Sequence, residues 1–205
     1  MKTKKIYIIR HGETDYNLKN CVQGRGIDSS INTKGEKQSN LFYQTYKNIQ
    51  FDKIYTSSLK RTQQSVQSFI TDKIPYEELS GLDEISWGKH EGQPYDPEMH
   101  QIYLNTVQRW TSGVLDARVG GGETPIEVVL RQKNAMEYIM GKKDEEVILI
   151  ATHGRAMRIL MSWLLRYPLT HMDVFEHANL CLYQLEFQSE TFKIIKYADV
   201  SHLKE

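Results

Sequence analysis

Residues 6–14 read Ile-Tyr-Ile-Ile-Arg-His-Gly-Glu-Thr, IYIIRHGET. The short β-branched and aromatic run predicts a buried strand over 5–10. It ends on Arg10 and His11 side by side, and Gly12 follows, where the backbone can turn sharply. An arginine is always charged, and a histidine titrates near neutral pH. Directly beside His11 at a strand end, Arg10 is placed to bind an anion. A second stretch closes the same way. Residues 146–152, EVILIAT, form the clearest buried strand, and His153-Gly154 come next. Ligands of mostly parallel sheets sit at the carboxyl ends of the strands. If these two strands are neighbours, both histidines face one crevice.

The rest of the chain supplies alternating partners. A helix is predicted over 33–46, with Thr33 and Glu36 at capping-box spacing. A strand follows over 51–56, a helix from 58 to about 70, and a weaker strand over 74–79. Residues 88–122 differ, with Pro94, Pro97 and the run Gly120, Gly121, Gly122. With a helix over 98–110, this segment reads as an insertion or cap. Thr124-Pro125-Ile126-Glu127 opens a helix with proline at its first position and a second capping box. It runs to about 140. A helix after Gly154 to about 165 and a hairpin of 180–187 with 191–197 complete the reading. Strands alternating with helices predict a three-layer α/β/α sandwich with a mostly parallel central sheet. The 205 residues are expected to form a single domain, with the helical insertion about 88–122 lying over the crevice.

Lysine plus arginine and aspartate plus glutamate balance at 26 each, which argues against nucleic acid or an anionic membrane as partner. Two cysteines, Cys21 and Cys181, are too few for a disulfide-stapled secreted domain. The basic start MKTKK is followed by an apolar run too short for a signal peptide. A cytoplasmic protein is the expectation. His90, His100, His171, His177 and His202 show no metal-ligand spacing, so no metal and no cofactor are expected. Arg61, in TSSLKRTQQS, reads by position alone as a solvated helix-face charge, and Glu84, in GLDEISWGKHEG, as an ordinary loop carboxylate.

Taken in order, these segments resemble the histidine phosphatase superfamily, also called phosphoglycerate mutase-like. The resemblance rests on RHGETDYN (10–17), QGRGIDSSINTKG (23–35), TSSLKRTQQS (56–65), LDEISWGKHEG (82–92), GGETPIEV (121–128) and ATHGRAMR (151–158). It covers residues 5 to about 160. It implies a metal-independent phosphomonoester hydrolase working through phosphohistidine on a small phosphorylated metabolite. His11 would be the nucleophile, with its second ring nitrogen held so that the attacking one keeps a free lone pair. Arg10, Arg61 and His153, the last as a cation, would grip the phosphoryl oxygens. Asn17 and the backbone after His153, at Gly154, would add donors; Gln23 and Gly24 belong to the same substrate-binding set. Glu84 would be the general acid, protonating the leaving alkoxide.

One departure stands out: Cys21 occupies a position where the family often has arginine, and Arg25 is the nearby residue that could compensate. The tripeptide after Glu84 favours the phosphatase branch over a mutase, and a non-catalytic phosphate-binding module is the alternative of a different class. Tyr16, Trp87, His90, Tyr95, Tyr103 and Arg109 are the residues through which the insertion could reach a substrate.

Overall fold

The computed structural model describes residues 3–204, so part of the basic start lies outside the described residues. The strands are β1 (Lys4–Arg10), β2 (Lys53–Thr56), β3 (Tyr76–Glu78), β4 (Val147–Thr152), β5 (Leu182–Gln188) and β6 (Thr191–Asp199). They form one six-stranded sheet in the order β3-β2-β4-β1-β5-β6. Its pairings are parallel except at β5, which runs against both β1 and β6.

The unbroken apolar runs of β1 and β4 follow from burial on both faces. Ile6, Ile8, Ile148 and Ile150 point to one side, against Met136 and Ile139 of helix 125–141 and Met157 and Leu160 of helix 154–164. Tyr7, Ile9, Leu149 and Ala151 point to the other, against Phe42, Tyr46 and Phe69. Each such isoleucine contributes roughly 1.5–3 kcal/mol when fully buried. This is the predicted three-layer sandwich. The helices, in chain order, are α1 (Asp15–Leu18), α2 (Thr33–Tyr46), α3 (Lys60–Ser65), α4 (Gln67–Thr71), α5 (Pro97–Thr111), α6 (Pro125–Gly141) and α7 (Gly154–Leu164).

Segment 88–122 contributes α5 and shares a third apolar cluster, in which Trp87, Trp110 and Val119 pack with Val128 of α6 and Ile159 of α7. Trp110 Nε1 donates to the Ala117 carbonyl at 2.8 Å, so its polar atom is satisfied inside that cluster.

Local details depart from the sequence reading. Helix α2 is capped by Asn32, whose Oδ1 accepts from Gly35 N at 2.9 Å, and not by a Thr33–Glu36 box. Asparagine is as good a cap as threonine or better, and it stands one residue earlier. The Thr124–Glu127 box is present, with Pro125 at the first position. The helix expected from 58 to 70 is split at Val66 (φ −122°) into α3 and α4.

Register sets up the site. Arg10 pairs with Thr152 across β1 and β4, and Thr56 pairs with Ala151 across β2 and β4. The residues just beyond these strand ends are His11, His153 and Ser57, so all three emerge side by side at one edge of the sheet.

Candidate active site

His11 begins where β1 stops. Its N–H donates to the Thr152 carbonyl at 3.0 Å, continuing the ladder by one bond. The next amide, Gly12 N–H, donates to Ser65 Oγ at 2.8 Å. A side chain at Gly12 would place a Cβ 2.8 Å from the Gly35 carbonyl, so only glycine lets the loop press on the start of α2. The His11 ring is 2% exposed. Its Nδ1 lies 2.7 Å from the Gly12 carbonyl, which can only accept, so Nδ1 carries the proton. Nε2 therefore keeps its lone pair. Burial, and then the Arg61 and Arg10 cations, hold this imidazole neutral well below its ordinary 6.5.

His153 faces it, with ring centroids 5.2 Å apart. Both of its nitrogens are occupied. Arg61 Nε donates to Nδ1 at 3.1 Å, and Nε2 lies 2.7 Å from Ser57 Oγ. An imidazole that accepts at Nδ1 is neutral, and burial followed by Arg61 keeps it so, well below 6.5. This corrects the expectation that His153 is a cation gripping phosphoryl oxygens: a guanidinium already fills that place.

Arg61 is fully buried rather than solvated on a helix face. Its Nη1 donates to the Ile27 carbonyl at 2.6 Å and its Nη2 to the Gly24 carbonyl at 3.2 Å. Each terminal nitrogen keeps a second N–H. Gln23 is spent locally, with Nε2 on Thr14 Oγ1 (2.8 Å) and Oε1 on Ser29 Oγ (2.7 Å). The Gln23 side chain thus braces Thr14, and the Gly24 carbonyl braces Arg61.

Glu84 is buried beneath the same edge. Its Oε1 accepts from Ile85 N and Ala156 N at 2.9 and 2.8 Å, and its Oε2 from Arg155 N at 3.1 Å. The helix start expected to hold a substrate anion is therefore taken by this carboxylate, which satisfies orphan N–H groups of α7. Gly154 sits so close to Arg10 and His177 that a Cβ would lie 2.9 Å from His177 Nδ1.

A cleft of about 820 Å³ is lined by Arg10, Asn17, His177 and Asn179 among others, and reaches the site through Arg10; His11, Arg61, Glu84 and His153 are not among its lining residues. Tyr16, Tyr95 and Tyr103 form part of its wall, together with Cys21. His90 lines a smaller hollow of about 120 Å³ that shares Tyr95 and Tyr103 with the cleft. Trp87 is core, and Arg109 is exposed on α5 outside both. Arg25 does not replace the missing arginine: it pairs with Asp83 and Glu123, each at 3.3 Å.

Sequence reasoning missed Ser57, Ser65, His177 and Asn179. The serines lay unremarked in a quoted segment, and no pattern marks 176–180. Arg155 was missed too; it lies buried between Asp173 (2.5 Å) and Tyr103 (2.9 Å). Among the described residues no group of three or more His, Cys, Asp or Glu is placed to hold a metal ion, and no helix is long and apolar enough to cross a membrane.

Three histidines held neutral give a pH prediction. Burial and Arg10 lower His177 to about 3, and His11 and His153 also lie well below 6.5. Below pH 6.5 the unfolded chain binds protons that the folded chain refuses, so stability falls as pH falls. The slope is at most about 1.4 kcal/mol per pH unit for each histidine. Thermal melts are expected to move steadily lower between pH 6.5 and 5, where most carboxylates are still silent. A flat midpoint across that window contradicts the geometry.

Comparison with known proteins agrees with this architecture. The sequence profile of the histidine phosphatase superfamily (branch 1) matches residues 6–200, and the chain belongs to that superfamily. It is 26% identical over 200 residues to PhoE of Bacillus subtilis, described as an uncharacterized phosphatase, covering 97% of this chain and 96% of that protein. It is 30% identical over 172 residues to fructose-2,6-bisphosphatase of Saccharomyces cerevisiae, covering 82% of this chain and 35% of the yeast protein, so it spans about a third of that relative. Among solved structures, YhfR of Bacillus stearothermophilus superposes with a TM-score of 0.87 at 27% identity, covering 98% of this chain and all of the other.

Proposed function

We propose that this chain is a metal-independent phosphomonoesterase that passes the phosphoryl group through His11 and acts on a small phosphorylated metabolite. The observation that carries the reading is the His11 ring: Nδ1 is tied to the Gly12 carbonyl, and Nε2 is left with a lone pair beside two guanidinium groups. Nε2 attacks phosphorus, and the bond from phosphorus to the ester oxygen breaks. Arg10, the free N–H groups of Arg61 and the Asn17 amide hold the three remaining oxygens as their charge redistributes. Neutral His153 seats Arg61 and does not itself carry charge. Glu84 gives the departing alkoxide its proton. Oε2, with one N–H partner against two on Oε1, is the oxygen with room to carry it. Water then gives a proton back to Glu84 and attacks phosphorus, freeing phosphate and restoring the Nε2 lone pair.

Similarity to the PhoE phosphatase over nearly the whole length supports hydrolysis over phosphoryl shuttling. The test is a panel of phosphorylated metabolites with purified protein in excess EDTA, scoring both free phosphate and isomerised product. Release of phosphate from at least one ester, unaffected by EDTA, is expected. Isomerisation without net release would make the protein a mutase. No turnover of any ester, p-nitrophenyl phosphate included, from acid to neutral pH would leave only a binding module.

A further inference from the structure

The connection ahead of β5 carries no motif, yet it grips the end of β1. The Leu180 N–H donates to the Arg10 carbonyl at 3.1 Å. Arg10 Nη1 donates to the His177 carbonyl at 2.6 Å and lies 3.2 Å from His177 Nδ1. Asn179 Nδ2 donates to the His11 carbonyl at 3.0 Å and to Asn17 Oδ1 at 3.2 Å.

These bonds have a direction that cannot be reversed. A carbonyl oxygen only accepts, so the end of the Asn179 amide that faces His11 must be the NH2. The same NH2 reaches Asn17, which must therefore present oxygen. Thr14 imposes the same polarity: its backbone N–H and its hydroxyl lie 3.2 and 3.1 Å from Asn17 Oδ1. The Thr14 hydroxyl is itself fixed, because it accepts from Gln23 Nε2. With oxygen turned inward on these donors, the Asn17 NH2 is the end left for the cleft, which Asn17 lines. A flipped amide would turn a lone pair toward an anion.

We infer that Asn179 is a positioning residue for the anion site: Thr14 turns the Asn17 oxygen inward, and Asn179 anchors that oxygen from across the sheet, so that the two N–H groups are held facing the bound phosphoryl group. The inference rests on reading the cleft as a phosphate site, and it extends the machinery to a loop that holds no catalytic group.

The test is calorimetric titration of inorganic phosphate into wild type, Asn179→Ala, Asn17→Ala and the double variant, with the melting midpoint of each. Asn179→Ala is expected to weaken phosphate binding roughly five-fold, the scale of one lost neutral hydrogen bond that anchors the Asn17 amide. In the Asn17→Ala background the same change is expected to cost less than about two-fold, because the group it orients has gone. An undiminished five-fold cost in that background overturns the inference. So does a lowered melting midpoint with wild-type affinity, which is what a purely structural residue gives. Should Asn179→Ala fail to fold, Asn179→Asp has the same size and removes the donor, and wild-type phosphate affinity in it is equally fatal. Wild type that binds phosphate but hydrolyses no ester removes the phosphatase reading and leaves this inference standing. Wild type that binds none removes both.

Discussion

His11→Ala is expected to fold, to bind inorganic phosphate and to release none from any ester. The ring is buried with a single hydrogen bond, to the adjacent Gly12 carbonyl, so its loss severs no tie between elements. Removing it leaves a small hole beneath the cleft and keeps Arg10 and Arg61 on their own anchors, the His177 carbonyl and the Ile27 and Gly24 carbonyls. Phosphate affinity should therefore survive within a few-fold. Turnover should not. Loss of a nucleophile that no neighbour can replace typically costs 10⁴-fold or more in kcat. His153, whose ring centroid lies 5.2 Å from that of His11, has both of its nitrogens engaged, and His177 Nδ1 lies against Arg10 Nη1 at 3.2 Å. Wild-type enzyme quenched in alkaline detergent, where a phosphorus–nitrogen bond survives, should carry a phosphoryl label on His11, and the variant none. Substantial hydrolysis by His11→Ala would show that another group attacks phosphorus.

Glu84→Gln should separate substrates by their leaving groups. An alkyl phosphate expels a strongly basic alkoxide and needs a proton as the bond breaks. p-Nitrophenolate leaves well without one. General acid catalysis contributes typically 10²–10⁴-fold, and a loss in that range is expected for alkyl esters. The loss for p-nitrophenyl phosphate should be far smaller. The substitution is nearly isosteric but not innocent. The carboxylate accepts N–H groups on both oxygens, and an amide can accept on only one. Its NH2 would face an N–H of Ile85, Ala156 or Arg155. A modest fall in melting midpoint should accompany the kinetic change. Equal losses on both esters would instead assign Glu84 to capping α7 alone.

His11 was legible as a candidate because it closes a strongly patterned stretch, whereas Glu84 read on its own as an ordinary loop carboxylate and was singled out only through the resemblance. The runs before Arg10-His11 and His153-Gly154 are short, apolar and closed by glycine, so strand and loop could both be read. What could not be read is polarity. Whether His153 is a cation or a neutral acceptor depends on Arg61, 92 positions away, and α3 read on its own gave no reason to bury that arginine. The helix start at Gly154 looked open to a substrate anion because nothing in the sequence says that Glu84 already sits there. Asn179 was invisible for a related reason. Its worth lies in bonds to residues 162 and 168 positions earlier, and a loop asparagine is ordinary. Spacing reveals elements; it does not reveal which donor meets which acceptor across the sheet.

The strand order has a consequence for how this chain comes to life on the ribosome. β1 is made first, yet its neighbours on either side, β4 and β5, are made after residue 146. Domains assemble as units during synthesis, and pairings between distant segments form late. His11 and Arg10 must therefore wait, without a lattice to hold them, until nearly the whole message has been translated. A nascent chain arrested before β5 would carry the full RHG signature and still be inert.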